Sequence, residues 1–210
     1  MLIPFSQVLH FLKERNIQIR GILHIGAHEC EEKTVYEENG FLSEHIDWVE
    51  ANPNLVSNML ARGIPVHNIA VSDKEEIVPF HITNNGQSSS LLELGTHKDL
   101  YSWCVVTHTI HVKTQRIDSF LREKNIPVEN RNFWNLDIQG AELKALKGAG
   151  DALQYVDAIY TEVNTDEVYK QCALLPELDS YLETYGFKRE MISMWGNDGW
   201  GDALYVRIKN

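Results

Sequence analysis

At 210 residues the chain has room for one domain with a sizeable core, and 43% hydrophobic against 23% charged residues is ordinary globular composition. A net charge of -11 disfavours a nucleic-acid partner, because duplex affinity comes from neutralised phosphates. Cys30, Cys104 and Cys172 form neither a disulfide frame nor a zinc spacing, and the sequence shows no membrane span or signal-peptide pattern, so a reduced, cytoplasmic setting is expected.

Residues 1–20 predict an N-terminal amphipathic helix, with Val8, Leu9, Phe11 and Leu12 as its buried stripe. Residues 21–25 predict the first strand, and 32–38 a helix stopped by Asn39-Gly40. The second strand, in HIDWVEANP, closes at Glu50; Pro53 suits a first helical turn, and the helix over 55–61 ends at Gly63. IPVHNIAVS predicts a third strand, which completes one half of a doubly wound parallel sheet. Residues 73–131 break the alternation as an inserted region expected on the acceptor side. Strands over 77–83 and 107–113 flank the long polar stretch NNGQSSSLLELGTHKDLYSW, which suggests a functional loop or lid, and a helix follows over 117–123. Alternation returns with a strand over 133–138, a turn at Gly140, a helix over 141–147, a strand in VDAIYTEVN and a helix over 178–185. FKREMISM and DALYVRIKN have no helix between them and must pair as an antiparallel hairpin.

The expected fold class is therefore α/β, one domain over residues 1–210. It is a Rossmann-like, doubly wound, mostly parallel sheet with a C-terminal antiparallel hairpin edge. That ending is the plan of class I S-adenosylmethionine-dependent methyltransferases; a dinucleotide-binding domain would continue with another parallel crossover.

In such a sheet, ligands bind beyond the carboxyl ends of the strands. Four of those ends carry polar residues: Gly26, Ala27 and His28; Glu50, Ala51 and Asn52; Asp137 with Gln139; and Glu162 with Asn164. A carboxylate at Glu50 suits both hydroxyls of a ribose. The turn after the first strand has one glycine, with His28 and Glu31 where a GxGxxG pattern needs two more, so it suits a sulfonium nucleoside better than a pyrophosphate. Asp137 suits three tasks, namely holding the methionine ammonium, orienting an acceptor hydroxyl or ligating a divalent cation, and it also suits an N-cap. No metal site is expected from the spacing, although a divalent cation between Asp137 and Glu162 is a competing way to activate a hydroxyl. Among nine histidines, His97, His108 and His111 lie in the inserted region, and His108 is the expected base, assisted by Asp137 or Glu162. Trp195 and Trp200 flank GNDG and suit either stacking on a sugar face or covering the sheet edge.

HIGAHECEE, WVEANP, AVSD, SSSLLEL, LDIQGAELKALKGAG, TEVN and WGDALYVR occur in that order from residue 21 to the end, and together they resemble the FkbM family of S-adenosylmethionine-dependent methyltransferases. The resemblance implies an O-methyltransferase acting on a hydroxyl of a sugar, glycan or other small molecule. It implies that Gly26, Ala27 and His28 line the methionine and ribose side of the cofactor and that Glu50 binds the ribose. It further implies that Ala70, Val71 and Ser72 border the adenine, that Ser88, Ser89 and Ser90 lie near cofactor or acceptor, and that Asp137 faces the reacting centre. The chain departs from the family at His24, where aspartate is frequent, at His28 for asparagine and at Cys30 for glycine. Two other classes remain open: an NAD-dependent Rossmann enzyme and a non-catalytic binding module on the same fold.

Overall fold

Helix α1 (Phe5–Glu14) follows Pro4 and buries Phe5, Val8 and Leu12, while Leu9 and Phe11 of the expected stripe are half-buried. This is a computed structural model describing residues 1–208; Lys209 and Asn210, the end of the predicted last strand, lie outside the described residues. Strand β1 (Ile22–Ile25) is buried at every position, as expected of a central strand covered on both faces. Helix α2 (Lys33–Glu38), strand β2 (Ile46–Glu50), helix α3 (Pro53–Ala61) and strand β3 (Val66–Asn68) follow, with Asn52 capping α3 through a hydrogen bond from the Asn54 amide.

The predicted third strand divides. Val66–Asn68 pairs with β2, but strand β4 (Ala70–Val71) leaves this sheet and pairs with β6 (Val106–Gln115), which also pairs antiparallel with β5 (Ile77–Thr83). The break has a local cause. The Ile69 amide and the Asn68 side chain both donate to the Glu50 carbonyl, which ends the ladder at the carboxyl end of β2. The polar stretch after β5 is tied down rather than hanging as a lid: Ser90 bridges to His81 and Leu94 to Tyr169, and it contains only the short helix α4 (His97–Leu100).

Helix α5 (Ile117–Glu123) returns the chain to strand β7 (Phe133–Leu136), and helix α6 (Glu142–Lys147) leads on to strand β8 (Ala158–Asn164). Helix α7 (Leu175–Glu183) starts three residues before the predicted position, because Pro176 fits its first turn and Glu177 accepts from the Leu174 amide. Strands β9 (Phe187–Met194) and β10 (Trp200–Arg207) close the chain.

The main sheet has seven strands in the order β3-β2-β1-β7-β8-β10-β9, with β10 antiparallel to both neighbours and the rest of the ladder parallel. Numbered within that sheet, the order is 3-2-1-4-5-7-6, and the class I methyltransferase plan with its hairpin edge is the fold of this chain. Successive residues of β7 serve opposite faces: Phe133 packs with α1 residues and Tyr36, and Trp134 with α5, α6 and α7. Strand order reverses between β1 and β7, so their carboxyl ends diverge into a crevice. No helix among the described residues is long and apolar enough to cross a membrane.

Candidate active site

That crevice is a cavity of about 620 Å³. The ends of β1, β2, β7 and β8 form its floor, and residues 86–103 and the β9–β10 turn form its outer walls.

The turn after β1 holds its shape without the missing glycines. Gly26 has φ +87°, and a Cβ there would overlap the Asp137 carbonyl, so this glycine permits two strand ends to touch rather than admitting a ligand. His28 and Cys30 occupy the left-handed region at φ 44° and 56°, at a cost of roughly 1–2 kcal/mol apiece. All five amides from Gly26 to Cys30 are spent internally. Gly26 and Ala27 donate to Val49, His28 to Glu50, Glu29 to Glu31 and Cys30 to Ala27. A phosphate would find no donor to bind here.

Glu50 is buried and accepts one amide on each oxygen, from Asn52 at 2.7 Å and from His28 at 2.8 Å. Burial raises its pKa, and those amides pull the other way. An ionised carboxylate has about four acceptor positions, so two remain toward the cavity. The His28 ring meets Glu31 at 2.6 Å. Burial opposes charge on His28, but the Glu31 hydrogen bond and surrounding carboxylates outweigh it and raise the pKa. The same bond overcomes the burial of Glu31 and holds that carboxyl at about 2.

On the β7–β8 side, acids accumulate. Glu162 lies directly opposite Asp202 across the β8–β10 ladder, an unfavourable pairing for like charges. Each is relieved by its own donors. Asp202 accepts from the Tyr160 hydroxyl and from the Leu2 amide at 2.6 Å, and Glu162 accepts from Gln139 at 2.7 Å. The same Gln139 amide nitrogen donates to Asp137, while its oxygen accepts from the Tyr169 hydroxyl. Asp137 keeps an exposed surface at the end of β7, but the protein packed around its carboxyl, and then the charge of Asp202, push it up to about 6. Burial raises Glu142 to about 7, and it raises Glu162 still further above its ordinary value, with Glu142, Asp137 and Asp202 adding to the effect. Among the described residues, no three His, Cys, Asp or Glu side chains form a group that would hold a metal ion.

Residues 24–189, from β1 to the start of β9, match the family described as Methyltransferase FkbM domain. The chain belongs to the FkbM methyltransferase family. It is 28% identical over 148 residues to the 2-O-methyltransferase NoeI of Sinorhizobium fredii, a match covering 67% of this chain and 58% of that protein. Among solved structures, magnesium protoporphyrin IX methyltransferase from Synechocystis PCC 6803 with bound SAM superposes with TM-score 0.49 at 8% identity, covering 97% of this chain and 77% of that one. An NADB-Rossmann superfamily protein from Streptococcus agalactiae gives TM-score 0.47 at 10% identity, covering 89% and 61%.

For this FkbM chain, the structure brings Gly26, His28, Glu50, Ala51, Ala70, Val71, Ser89, Asp137 and Glu162 to one cavity. Three expected cofactor residues lie behind its wall. Ala27 is buried, Asn52 caps α3, and Ser72 bonds Gln115 and Asp73. His108 requires correction. It is exposed on β6, its ring bonded to Thr107, and it lies outside the cavity lining, on a stretch of the strand where residues 106–109 are exposed on both faces. His111 is likewise exposed.

Ser90 joins the inserted region to the site by donating to the Gln139 carbonyl at 2.7 Å. At the mouth, Trp195 and Trp200 stack with centroids 5.7 Å apart, and Trp200 donates to the Tyr101 hydroxyl, which in turn donates to Asp198. Sequence reasoning missed Asp202, Tyr160 and the bridging role of Gln139. Asp202 lies in an unbroken buried run of β10, and its opposition to Glu162 follows only from the β8–β10 pairing. His24 has a task in the floor: its ring bonds Tyr36 at 3.1 Å and packs on Trp48, and Asn135 joins the same cluster. Burial lowers its pKa and keeps it neutral at neutral pH.

Proposed function

We propose that this chain is an S-adenosylmethionine-dependent O-methyltransferase acting on a hydroxyl of a sugar or glycan. One observation carries the cofactor: the turn after β1 has spent every amide a pyrophosphate would need, while carboxylates at the strand ends line the cavity. That set of acceptors suits a ligand with a sulfonium, an ammonium and ribose hydroxyls, and does not suit a dinucleotide. The relative's description as a 2-O-methyltransferase supports oxygen as the acceptor atom, and the Trp195–Trp200 pair supports an acceptor with a flat, partly apolar face such as a sugar ring.

When bound, S-adenosylmethionine supplies the methyl group. Glu50 would accept from the ribose hydroxyls with its two remaining positions, and Ile69, Ala70 and Val71 give the adenine an apolar border. Asp137, with its pKa at about 6, is ionised at neutral pH and close enough to neutrality to take the proton of the attacking hydroxyl. Gln139 fixes Asp137 against Glu162, which favours its protonated form, so the two acids divide their roles as their environments push them apart. The remaining work is alignment of oxygen, methyl carbon and sulfur.

Calorimetry with S-adenosylhomocysteine tests the cofactor. Micromolar binding that weakens at least ten-fold in Glu50→Ala is expected; no binding by the wild type, or no change in the variant, overturns the assignment. A labelled-methyl screen over sugars, glycans and small phenols tests the acceptor, and binding without transfer to any of them would point to a non-catalytic module.

A further inference from the structure

His97 is a cavity residue with no task in the chemistry above. Its place is firmly set. Gly95, Thr96 and His97 donate main-chain hydrogen bonds to Val168, Glu167 and Val168 at 2.9, 3.0 and 3.2 Å, which fastens this stretch to the segment after β8. The approach is so close that a Cβ on Gly95 would overlap the Glu167 carbonyl. The ring then lies near Tyr101 and Tyr169, with centroids 4.9 and 5.6 Å away.

The residue is only 7% exposed, and its Nδ1 is shut away from solvent with no hydrogen-bond partner. Nε2 is therefore the nitrogen left open to the cavity. A neutral imidazole carries one N–H. Placed on Nδ1, it would be a buried donor with no acceptor, and orphaned buried N–H groups are rarer than unpaired acceptors. Protonating both nitrogens creates the same orphan and adds a buried charge, and burial lowers the pKa of this ring. The ring thus rests neutral with its hydrogen on Nε2, as a donor with its lone pair turned inward. Such a group binds an oxygen and does not remove a proton.

We propose that His97 is a specificity-determining residue that donates from Nε2 to a second oxygen of the acceptor, neighbouring the hydroxyl that is methylated. The acceptor class is therefore a vicinal polyol or sugar ring rather than an isolated alcohol, gripped between the donor and the flanking tyrosine rings. A site built around a donor discriminates strongly against analogues lacking its oxygen, because the donor is then left unpaired. The proposal rests on the methyl-transfer reading of this cavity, and its test has one arm that does not.

The independent arm is imidazole NMR on the ¹⁵N-histidine-labelled full chain from pH 5 to 8, with His97→Phe assigning the signal. The expected result is an unprotonated Nδ1 and a protonated Nε2 at pH 7–8, in a ring that titrates below the free-histidine range; an Nδ1–H tautomer, or a ring that titrates at or above that range, overturns the proposal whether or not a cofactor binds. The second arm measures labelled-methyl transfer to a pool of methyl glycosides. His97→Phe is expected to lower kcat/KM for the pool about 10- to 100-fold, with S-adenosylhomocysteine affinity within two-fold of wild type. His97→Gln, which keeps an N–H donor, should recover most of that loss and leave the acid limb of the pH profile in place. Unchanged kcat/KM in His97→Phe, or loss of the acid limb in His97→Gln, overturns the donor role. Absence of S-adenosylhomocysteine binding by the wild type overturns the methyl-transfer reading instead.

Discussion

The two sides of the cavity are built by opposite means. The side proposed for the cofactor consists of the ends of buried strands, where main-chain groups satisfy one another and a few acids are left facing inward. The side proposed for the acceptor consists of side chains on a long inserted connection, held by isolated bridges at Ser90 and Leu94 and by the Ser90 bond to Gln139. The first construction tolerates little change, because each group is fixed by the ladder beneath it. The second keeps its main chain anchored while lining the cavity with the side chains of His97, Tyr101 and Trp103, so under the proposed function acceptor preference has room to vary without touching the sheet. Under the function proposed here, the cofactor would be recognised by architecture and the acceptor by decoration.

The comparison breaks most visibly at Gly26. Gly26→Ala is expected to destabilise the fold by about 3 kcal/mol or more, because the new Cβ meets the Asp137 carbonyl at a positive φ. Denaturant unfolding checks it, and a change under 1 kcal/mol would show that the strand ends part easily. Asp137→Asn should leave the fold intact and lower kcat by about 10²–10⁴-fold. In the wild type, kcat/KM should fall as pH drops through about 6, where Asp137 gains its proton, and the variant should lose that limb. An acid limb unchanged in Asp137→Asn would place the base elsewhere.

On the acceptor side, Gly95→Ala should act differently. It pushes the His97 stretch off the Glu167 carbonyl, so acceptor kcat/KM should drop about ten-fold, while S-adenosylhomocysteine affinity stays within two-fold. Equal losses on both sides would erase the distinction.

The acids sharpen it through pH. Burial raises the folded-state pKa of Glu142 to about 7, and it also raises Glu162 and Asp202. Unfolded, these groups titrate near 4. The folded chain therefore holds protons the unfolded chain has released, so this stability is complete below about pH 4 and is lost as pH rises through about 7. His28, whose pKa is raised against the opposing effect of burial, acts in the same direction, and His24 and His97, lowered by burial, oppose it. The ligand-free chain should melt a few degrees higher at pH 5 than at pH 8, and a cationic cofactor should stabilise it more at pH 8. A flat profile with and without S-adenosylmethionine would mean that the acids do not face the cofactor.

Much of the sheet was legible because its signals are local: buried runs for the central strands, glycine and proline at helix ends, and two final strands with no helix between them. The strand-end acids Glu50, Asp137 and Glu162 were legible for the same reason. What failed depended on partners distant in sequence. Ala70 and Val71 read as a continuation of β3, because nothing local shows that their ladder partner is β6. His108 and His97 are equivalent as letters in a polar region, and only the Leu94–Tyr169 bridge shows which one reaches the cavity. Asp202 was hidden similarly, since its opposition to Glu162 exists only once β10 pairs with β8.

The smallest expected effect is at the rim. Trp195 is 51% exposed and stacks on Trp200 with an interplanar angle of 20°, so its outer face is open where an acceptor enters. An aromatic face contributes roughly 0.5–1.5 kcal/mol to such a contact, which corresponds to a rise in acceptor KM of about two- to thirteen-fold in Trp195→Ala. The indole is far from fully buried, so melting temperature should hardly move. The floor residues do not depend on it, so kcat and S-adenosylhomocysteine affinity should stay near wild type. Trp195→Phe should restore most of the acceptor KM if stacking is the interaction. A loss in kcat instead would mean that the rim orders the strand ends beneath it, and the two sides of the cavity would no longer be separable.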